Sequence, residues 1–364
     1  MSGALAGLRV IDASTLYAAP YLATLLADHG ADVVKIEQPG GDTYRHHPGR
    51  MWPLLARGKR SVELDLRSDE GCAVLRRLVA DVDVLVVNLP PATLAKRGID
   101  FPTLHALNPE LVYVSVTGYG QDGPYADRPG NGTIGEAFTG LTHVTGDPDG
   151  PPVLPSVPMG DAVTAVTGAF GVLAACYHRL AHGGGGQLVD VNPIDSLLQA
   201  GAPIHAEYDG AGEVPVRLGS RLRDSVVRNV FPTEDDRWVA ISASTPRHLS
   251  DLATLAGHGL RDDDGVPIGD VEASVREWTS KRHHTAVVEE LVNRRLPVSL
   301  VQTAREIRDD AHVRSRGCLT EMTTDEQGAI TVPVAAPRLS VTPAEPASRT
   351  PVVGQHTDAV LGGR

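Results

Sequence analysis

Asp161 is the residue of this sequence best placed to do chemistry. It follows Gly160 at the end of an extended, Pro-rich run and opens a nearly uncharged stretch, Ala162 to Leu180, that reads as a buried helix. A carboxylate at a helix start commonly accepts bonds from free backbone N–H groups, a cap worth about 1 kcal/mol. The same position keeps the carboxylate ionised beside donors for an oxyanion, and Gly160 lets a substrate approach the backbone. The residues alone support both readings.

Other motifs carry less. Gly118-Tyr119-Gly120-Gln121-Asp122-Gly123 matches the G-x-G-x-x-G dinucleotide pattern after a strand-like run. Pro124, Pro129 and Gly130 follow at once, so no helix can present its N-terminus to a pyrophosphate, and the segment reads as a Gly-rich turn. Gly183 to Gly186 lacks a following Lys-Ser or Lys-Thr and reads as a helix stop. His46-His47 and His283-His284 are adjacent pairs without the i, i+4 face of a zinc helix, Cys72, Cys176 and Cys318 form no close pair, and no metal site is expected. No G-x-S-x-G elbow occurs. Of the 33 basic residues only four are Lys, and the runs Arg57 to Arg60 and Lys96-Arg97 are either phosphate contacts or solvated charge.

The elements that must position these groups follow a βαβ rhythm. Leu8 to Asp12, Asp32 to Ile36, Ser61 to Leu66, Asp83 to Asn88 and Leu111 to Val116 read as strands. Ala19 to His29, closed by Gly30, and the stretch from Ser68 to Ala80 read as helices. Helix-like runs also precede Gly98 and cover Thr133 to Val144, and Gln187 to Val191 is a further strand. The pattern predicts an α/β fold with a doubly wound, mostly parallel sheet and sites at the carboxyl ends of the strands. Scattered Gly, Pro and Arg around 201–228 mark a boundary. Beyond it a smaller domain is expected, with Trp238 to Ser242 as a strand, helices near 246–256, 270–281 and 284–294, and a strand at Pro297 to Val301. Gly317 to Val341 alternates like strands, and Pro343 to Arg364 reads as an extended tail.

The 364 residues carry a net charge of −12 with 41% hydrophobic content, which disfavours nucleic acid and anionic membrane surfaces as partners. Any anionic ligand then requires a local basic site. Sparse cysteine and the absence of a charged leader point to a cytoplasmic protein.

Taken in order, the segments resemble the class III CoA-transferases, the CaiB/BaiF group that also includes α-methylacyl-CoA racemases. The likeness rests on Leu8 to Asp12 with Ala18-Ala19-Pro20, on Leu26 to Asp42, on Arg57 to Leu66, on Asn108-Pro109, on Thr117 to Tyr125 and on Gly160-Asp161. The resemblance implies that Asp161 attacks an acyl-CoA thioester to give a mixed anhydride, that the CoA thiolate returns to form an aspartyl-CoA thioester, and that a carboxylic acid completes the exchange. It implies CoA contacts at Thr15, Tyr17, Ala18, Lys59, Arg60, Asn88, Leu89, Lys96 and Arg97, and a substrate loop at Gly130 and Asn131. CoA enters as substrate, with no permanently bound cofactor.

The resemblance also implies a large domain from both chain ends (1–205 and 306–364), a linker at 206–225, a small α+β domain at 226–305 and an interlocked homodimer. Three departures stand out. Gln38 replaces a basic family residue, for which Arg45 is the candidate substitute. Asn131 and Gly132 replace the His-Asp pair of racemases, so a racemase or isomerase is the disfavoured alternative. Many transferases keep an acidic residue at the Gly132 position, and 209–223 holds only scattered Gly where a mobile Gly-rich loop is common. Arg128, Arg217, Arg221 and Arg223 are candidates for a second substrate carboxylate. A CoA-ester-binding homologue without turnover is the reading from another class, and a nicotinamide oxidoreductase ranks last.

Overall fold

Runs of Val, Ile and Leu bounded by turns form the buried central strands, and with a polar strand at one edge and a half-exposed one at the other they make one six-stranded parallel sheet. In the computed structural model these are β1 (Arg9–Ala13), β2 (Asp32–Glu37), β3 (Lys59–Glu63), β4 (Val84–Val87), β5 (Val112–Val116) and β6 (Leu188–Val191), in the order β3-β2-β1-β4-β5-β6. The structure describes residues 3–223, 225, 227–257, 268–324, 328–345, 347 and 349–362. Alternate residues feed two cores. Val10, Val33, Val86 and Val114 meet the helices Ala18–Asp28 and Met159–His182, while Ile11, Val34, Leu85 and Tyr113 meet the helix Asp69–Val79 and its neighbours. The strand order reverses between β1 and β4, and the crevice beyond their carboxyl ends is where such sheets bind ligands.

The helix Met159–His182 starts three residues before the expected Ala162 and ends at Gly183, whose φ of 64° provides the left-handed stop. It was expected to be packed on all sides, and it is not. Thr164, Ala165, Gly168, Val172 and Ala175 are buried against the sheet and the first helix. Val166, Phe170, Leu173, Tyr177 and Leu180 are exposed. The small residues explain the closeness on the buried side: a Cβ on Gly168 would lie 2.3 Å from Leu22 Cδ1. By length and composition this helix could also cross a membrane, but its small-residue face forms part of the sheet's core.

The chain divides into two units. The first comprises Met1–Leu141, Leu154–Ala206 and His312–Arg364. The second comprises Thr142–Val153 and Glu207–Ala311, so residues 142–153 cluster apart from the 1–205 stretch in which the sequence places them. The second unit holds an antiparallel sheet, β7 (Val227–Pro232), β8 (Trp238–Ala243) and β9 (Val298–Leu300), covered by the helices Pro246–Leu255, Ile268–Ser280 and His284–Asn293. The first unit is closed by a hairpin, β10 (Leu319–Thr324) with β11 (Gly328–Pro333). The tail is not wholly extended: Thr357–Leu361 is helical, and His356 N donates to Ser61 O of β3 at 2.9 Å. The single helix expected over Thr133 to Val144 is two, Gly132–Phe138 and Leu141–Val144, because Gly140 at φ 82° breaks it.

Candidate active site

Four glycines bring backbone against backbone beneath Asp161. A Cβ on Gly118 would lie 2.5 Å from Gly130 Cα, and one on Gly160 would lie 2.5 Å from Gly132 O. At Gly132 it would lie 2.4 Å from Asp161 N and 2.7 Å from the Asp161 carboxyl carbon and Oδ2. The loop after β5 and the starts of two helices can therefore meet only where side chains are missing. The missing acidic residue at Gly132 has its physical reason here: the space belongs to Asp161.

Asp161 lies inside the first turn of its helix rather than at the cap. The cap position is Pro158, with no side-chain bond, and the Asp161 carboxylate turns instead to the Gly132 N–H, which donates to Oδ1 at 3.1 Å. The capping role is thus replaced by a contact between helices. Burial raises the Asp161 carboxyl above its ordinary range, the Gly132 N–H draws it back, and the Glu136 charge adds to the rise. Glu136 is 3% exposed and its Oε1 accepts the Gly160 N–H at 2.6 Å. Two tyrosines sense the same carboxylate. Burial foremost, then Tyr21 and Asp161, push Tyr17 up to about 12, and burial with Asp161 raises Tyr44.

A cavity of about 190 Å³ opens here, lined by Tyr17, Tyr44, Thr117, Asn131, Asp161 and Thr164 among others. Leu16, beside it, holds φ 69° without being glycine, a strained position of the kind that collects at functional sites. A second cavity of about 220 Å³ lies beyond Asn88, with Thr15, Gln38, Arg67, Leu89 and Arg97 on its walls. Asn88 joins the two: its Oδ1 accepts Thr15 N at 3.0 Å and its Nδ2 donates to Thr15 O at 2.7 Å, clamping the loops after β1 and β4 across the switch point.

The expected CoA residues therefore separate. Thr15, Tyr17, Ala18, Asn88, Leu89 and Arg97 line one or both cavities, and Gly130 and Asn131 line the one at Asp161. Lys59 does not. It falls inside β3, which starts earlier than the expected Ser61, and its buried Nζ donates to Asp12 Oδ2 at 2.8 Å and to Pro20 O at 2.7 Å. Burial lowers the Lys59 ammonium to about 8 although Asp12 supports its charge. Arg60 holds Asp32 with two bonds of 2.8 and 2.7 Å near the amino ends of the strands, away from both cavities. Lys96 is exposed in the last turn of the helix Pro91–Lys96 and lines neither cavity.

Arg45 cannot stand in for a base at Gln38. It is 2% exposed, its Nε and Nη2 grip Glu37 at 2.7 Å each, Nη2 also reaches Pro351 O, and the guanidinium lies 4.2 Å from the Trp52 ring centre. The other arginines are also engaged. Arg128 lies 3.6 Å over Tyr125, Arg217 donates to the carbonyls of His143 and Asp147, Arg221 pairs with Glu272 and Arg223 with Glu207. Asn131 caps its helix by accepting the Ile134 N–H at 3.2 Å. Asp235 gathers His283 and His284, accepting the His284 N–H at 3.0 Å where the helix His284–Asn293 begins.

Glu136, Tyr44 and the steric need for Gly132 escape the sequence reading. Only the spacing of Gly132 and Glu136 on one helical turn hints at them. Gly132→Ala is expected to lower turnover at least about 100-fold while unfolding shifts by about 1–3 kcal/mol, because the methyl displaces the carboxylate. Steady-state rates beside a urea titration check it, and a variant of ordinary rate would contradict the contact.

The family model described as CoA-transferase family III matches residues 5–357. The succinyl-CoA–L-malate CoA-transferase beta subunit of Chloroflexus aurantiacus is 37% identical, over 98% of this chain and 93% of its own length. The succinyl-CoA:mesaconate CoA-transferase of Haloarcula hispanica is 34% identical, over 99% and 96%. The crystal structure of a CaiB/BaiF family protein from Brucella suis superposes with a TM-score of 0.87 at 27% identity, covering all of both chains. With a family model that spans nearly its whole length, a transferase relative 37% identical over 98% of it and a CaiB/BaiF fold that superposes along the entire chain, this chain belongs to the class III, CaiB/BaiF family of CoA-transferases.

Proposed function

We propose that this protein moves CoA from an acyl-CoA, succinyl-CoA foremost, to a second dicarboxylic acid through covalent intermediates on Asp161. The observation that carries the reading is the Asp161 carboxylate itself: half-buried, facing a cavity at the switch point, with one oxygen held by a backbone N–H and the other open. The names of the two transferase relatives favour succinyl-CoA as donor and a C4 or C5 dicarboxylate as acceptor.

In the proposed sequence the open oxygen attacks the thioester carbonyl, the C–S bond breaks and CoA leaves as thiolate. The thiolate then attacks the Asp161 carboxyl carbon of the anhydride, and the donor leaves as a carboxylate. The oxyanion formed in that second attack grows on the oxygen that the Gly132 N–H already holds, an arrangement worth roughly 3–4 kcal/mol per well-placed donor. The Gly160 N–H is taken by Glu136 and supplies none. The nucleotide end of CoA lies in the cavity of Thr15, Asn88 and Arg97, with Arg97 the cation for its phosphates. Free thiols at Cys72, Cys176 and Cys318 suit a cytoplasmic setting for such chemistry.

The test is exchange: isotope-labelled succinate incubated with succinyl-CoA and the protein, then malate, mesaconate and glutarate as acceptors. Label in succinyl-CoA and new acyl-CoA products support transfer. Hydrolysis alone, or deuterium entering the α-position in heavy water without exchange, would refute it. Asn131, committed as a helix cap, offers a racemase no proton carrier.

The exposed stripe Val166, Phe170, Leu173, Tyr177 and Leu180, spaced alternately four and three apart on one helix, suits a second copy of the chain. A homodimer is expected by light scattering, with Phe170→Glu lowering the mass to one chain. A monomer at micromolar concentration in the unaltered protein would contradict it.

A further inference from the structure

The two helices at the site hold each other reciprocally. The first N–H of the Gly132 helix donates to the Asp161 carboxylate, and an N–H in the first turn of the Asp161 helix donates to the Glu136 carboxylate. Gly132 and Gly160 let the backbones close until a Cβ at either would collide with the other element. Two carboxyl groups are thereby tied to one backbone contact. Among the described residues no ion pair to a cation is formed by either. Glu136 is buried and does not line the cavity that Asp161 faces, its charge bears on Asp161, and Tyr17 and Tyr44 are the other titratable groups that sense Asp161.

We infer that Glu136 sets the balance between free and acylated enzyme: its buried charge, held by the Gly160 N–H, destabilises the ionised Asp161 carboxylate and leaves the uncharged acyl-aspartate untouched. The inference rests on the proposed role of Asp161. Charge bookkeeping makes it specific. Attack converts the Asp161 oxygen lone pair into a C–O bond, the C–S electrons leave on CoA, and the returning thiolate forms a C–S bond at Asp161 while the C–O pair departs on the donor carboxylate. No proton moves, and one negative charge leaves the Glu136 neighbourhood for the released acid. Repulsion present before the reaction is absent after it, which favours the aspartyl-CoA thioester and strengthens the nucleophile. Glu136 is a positioning residue that reaches substrate only through Asp161.

A crossed pair of variants tests this in the full-length protein. Glu136→Gln keeps an oxygen to accept the Gly160 N–H and loses the charge, whereas Glu136→Asp keeps the charge and shortens the reach. Each is mixed with succinyl-CoA and succinate at fixed ratios, acid-quenched, and the fraction of chain carrying CoA is read by intact mass, with Asp161→Ala as the blank. The charge role predicts that Glu136→Gln lowers the ratio of CoA-bearing to free enzyme about three- to tenfold, with a melting temperature that does not fall, while Glu136→Asp stays within about twofold of the unaltered protein. The acid limb of adduct formation also moves to lower pH in Glu136→Gln, because Asp161 then ionises more easily. An adduct on the unaltered protein with an undiminished ratio in Glu136→Gln overturns the inference alone, as does the reverse ranking of the two variants, the mark of a purely structural acceptor. No adduct on the unaltered protein, with succinyl-, glutaryl- or acetyl-CoA, overturns the Asp161 reading and this inference with it.

Discussion

Asp161→Asn is expected to abolish transfer, by about 10⁴-fold or more, and to raise the melting temperature by a few degrees. The loss follows from chemistry, since an uncharged amide cannot open the thioester. The gain follows from linkage. Burial raises the Asp161 carboxyl above its ordinary range, so the folded state binds that proton more tightly than the unfolded chain does. The group therefore supports the fold fully only below its unfolded pKa, and that support is lost as pH rises through the higher folded one. At neutral pH the ionised carboxylate is a burden on the fold, and Asn removes it. Thermal melts at pH 5 and pH 8 check the sign: the difference between Asn and Asp should be larger at pH 8. A variant less stable at pH 8 than the unaltered protein would argue that Asp161 is a structural cap after all.

Arg45→Leu carries the largest expected loss of stability, about 3–5 kcal/mol. Removing the guanidinium leaves the Glu37 carboxylate buried with, among the described residues, Ser61 Oγ and the backbone N–H of Asp42 as its remaining donors. Burial opposes the Glu37 charge, and the bonds from Arg45 and Ser61 hold its carboxyl below the ordinary range in spite of that. Glu37 thus gives stability that is present above its unfolded pKa and lost as pH falls through the lowered one, so the unaltered protein should lose this contribution only in acid. The pair also ties β2 to the tail through Pro351 O, and a loss there would loosen the returning chain end. Urea unfolding measures the cost, and the double variant Glu37→Leu with Arg45→Leu should recover part of it by leaving no charge behind. An unfolding midpoint unchanged in Arg45→Leu would place Arg45 outside the structural framework and return it to the candidates for binding CoA.

The sheet was legible because local patterns and tertiary demands agree. Val84 to Val87 is an apolar run of strand length, Val112 to Val116 is one but for Ser115, and each is buried on both faces. Asp161 was legible as a residue of interest from its place between Pro-rich chain and apolar helix. What it does there was not legible from its surroundings in sequence, because its hydrogen-bond partner Gly132 lies 29 residues away and its charged neighbour Glu136 lies 25 away. The basic residues could not be sorted for a related reason. Lys59, Arg60 and Arg45 look alike as a list of cations, yet strand phase turns Lys59 inward to Asp12 and places Arg60 on Asp32, while Arg45 meets Glu37 eight residues before it. A one-dimensional pattern shows that a charge exists, and only the register of the sheet shows whether it has already been neutralised.

The central claim is that Asp161 carries the acyl and CoA groups, and intact-protein mass spectrometry addresses it most directly. The protein is incubated with succinyl-CoA, with and without hydroxylamine, and the modified peptide is sequenced. The account predicts a CoA adduct that hydroxylamine converts to a hydroxamate, both on Asp161 and both missing from Asp161→Ala. Turnover of succinyl-CoA into a new acyl-CoA with no trapped species at Asp161, or with the adduct on another carboxylate, would contradict it.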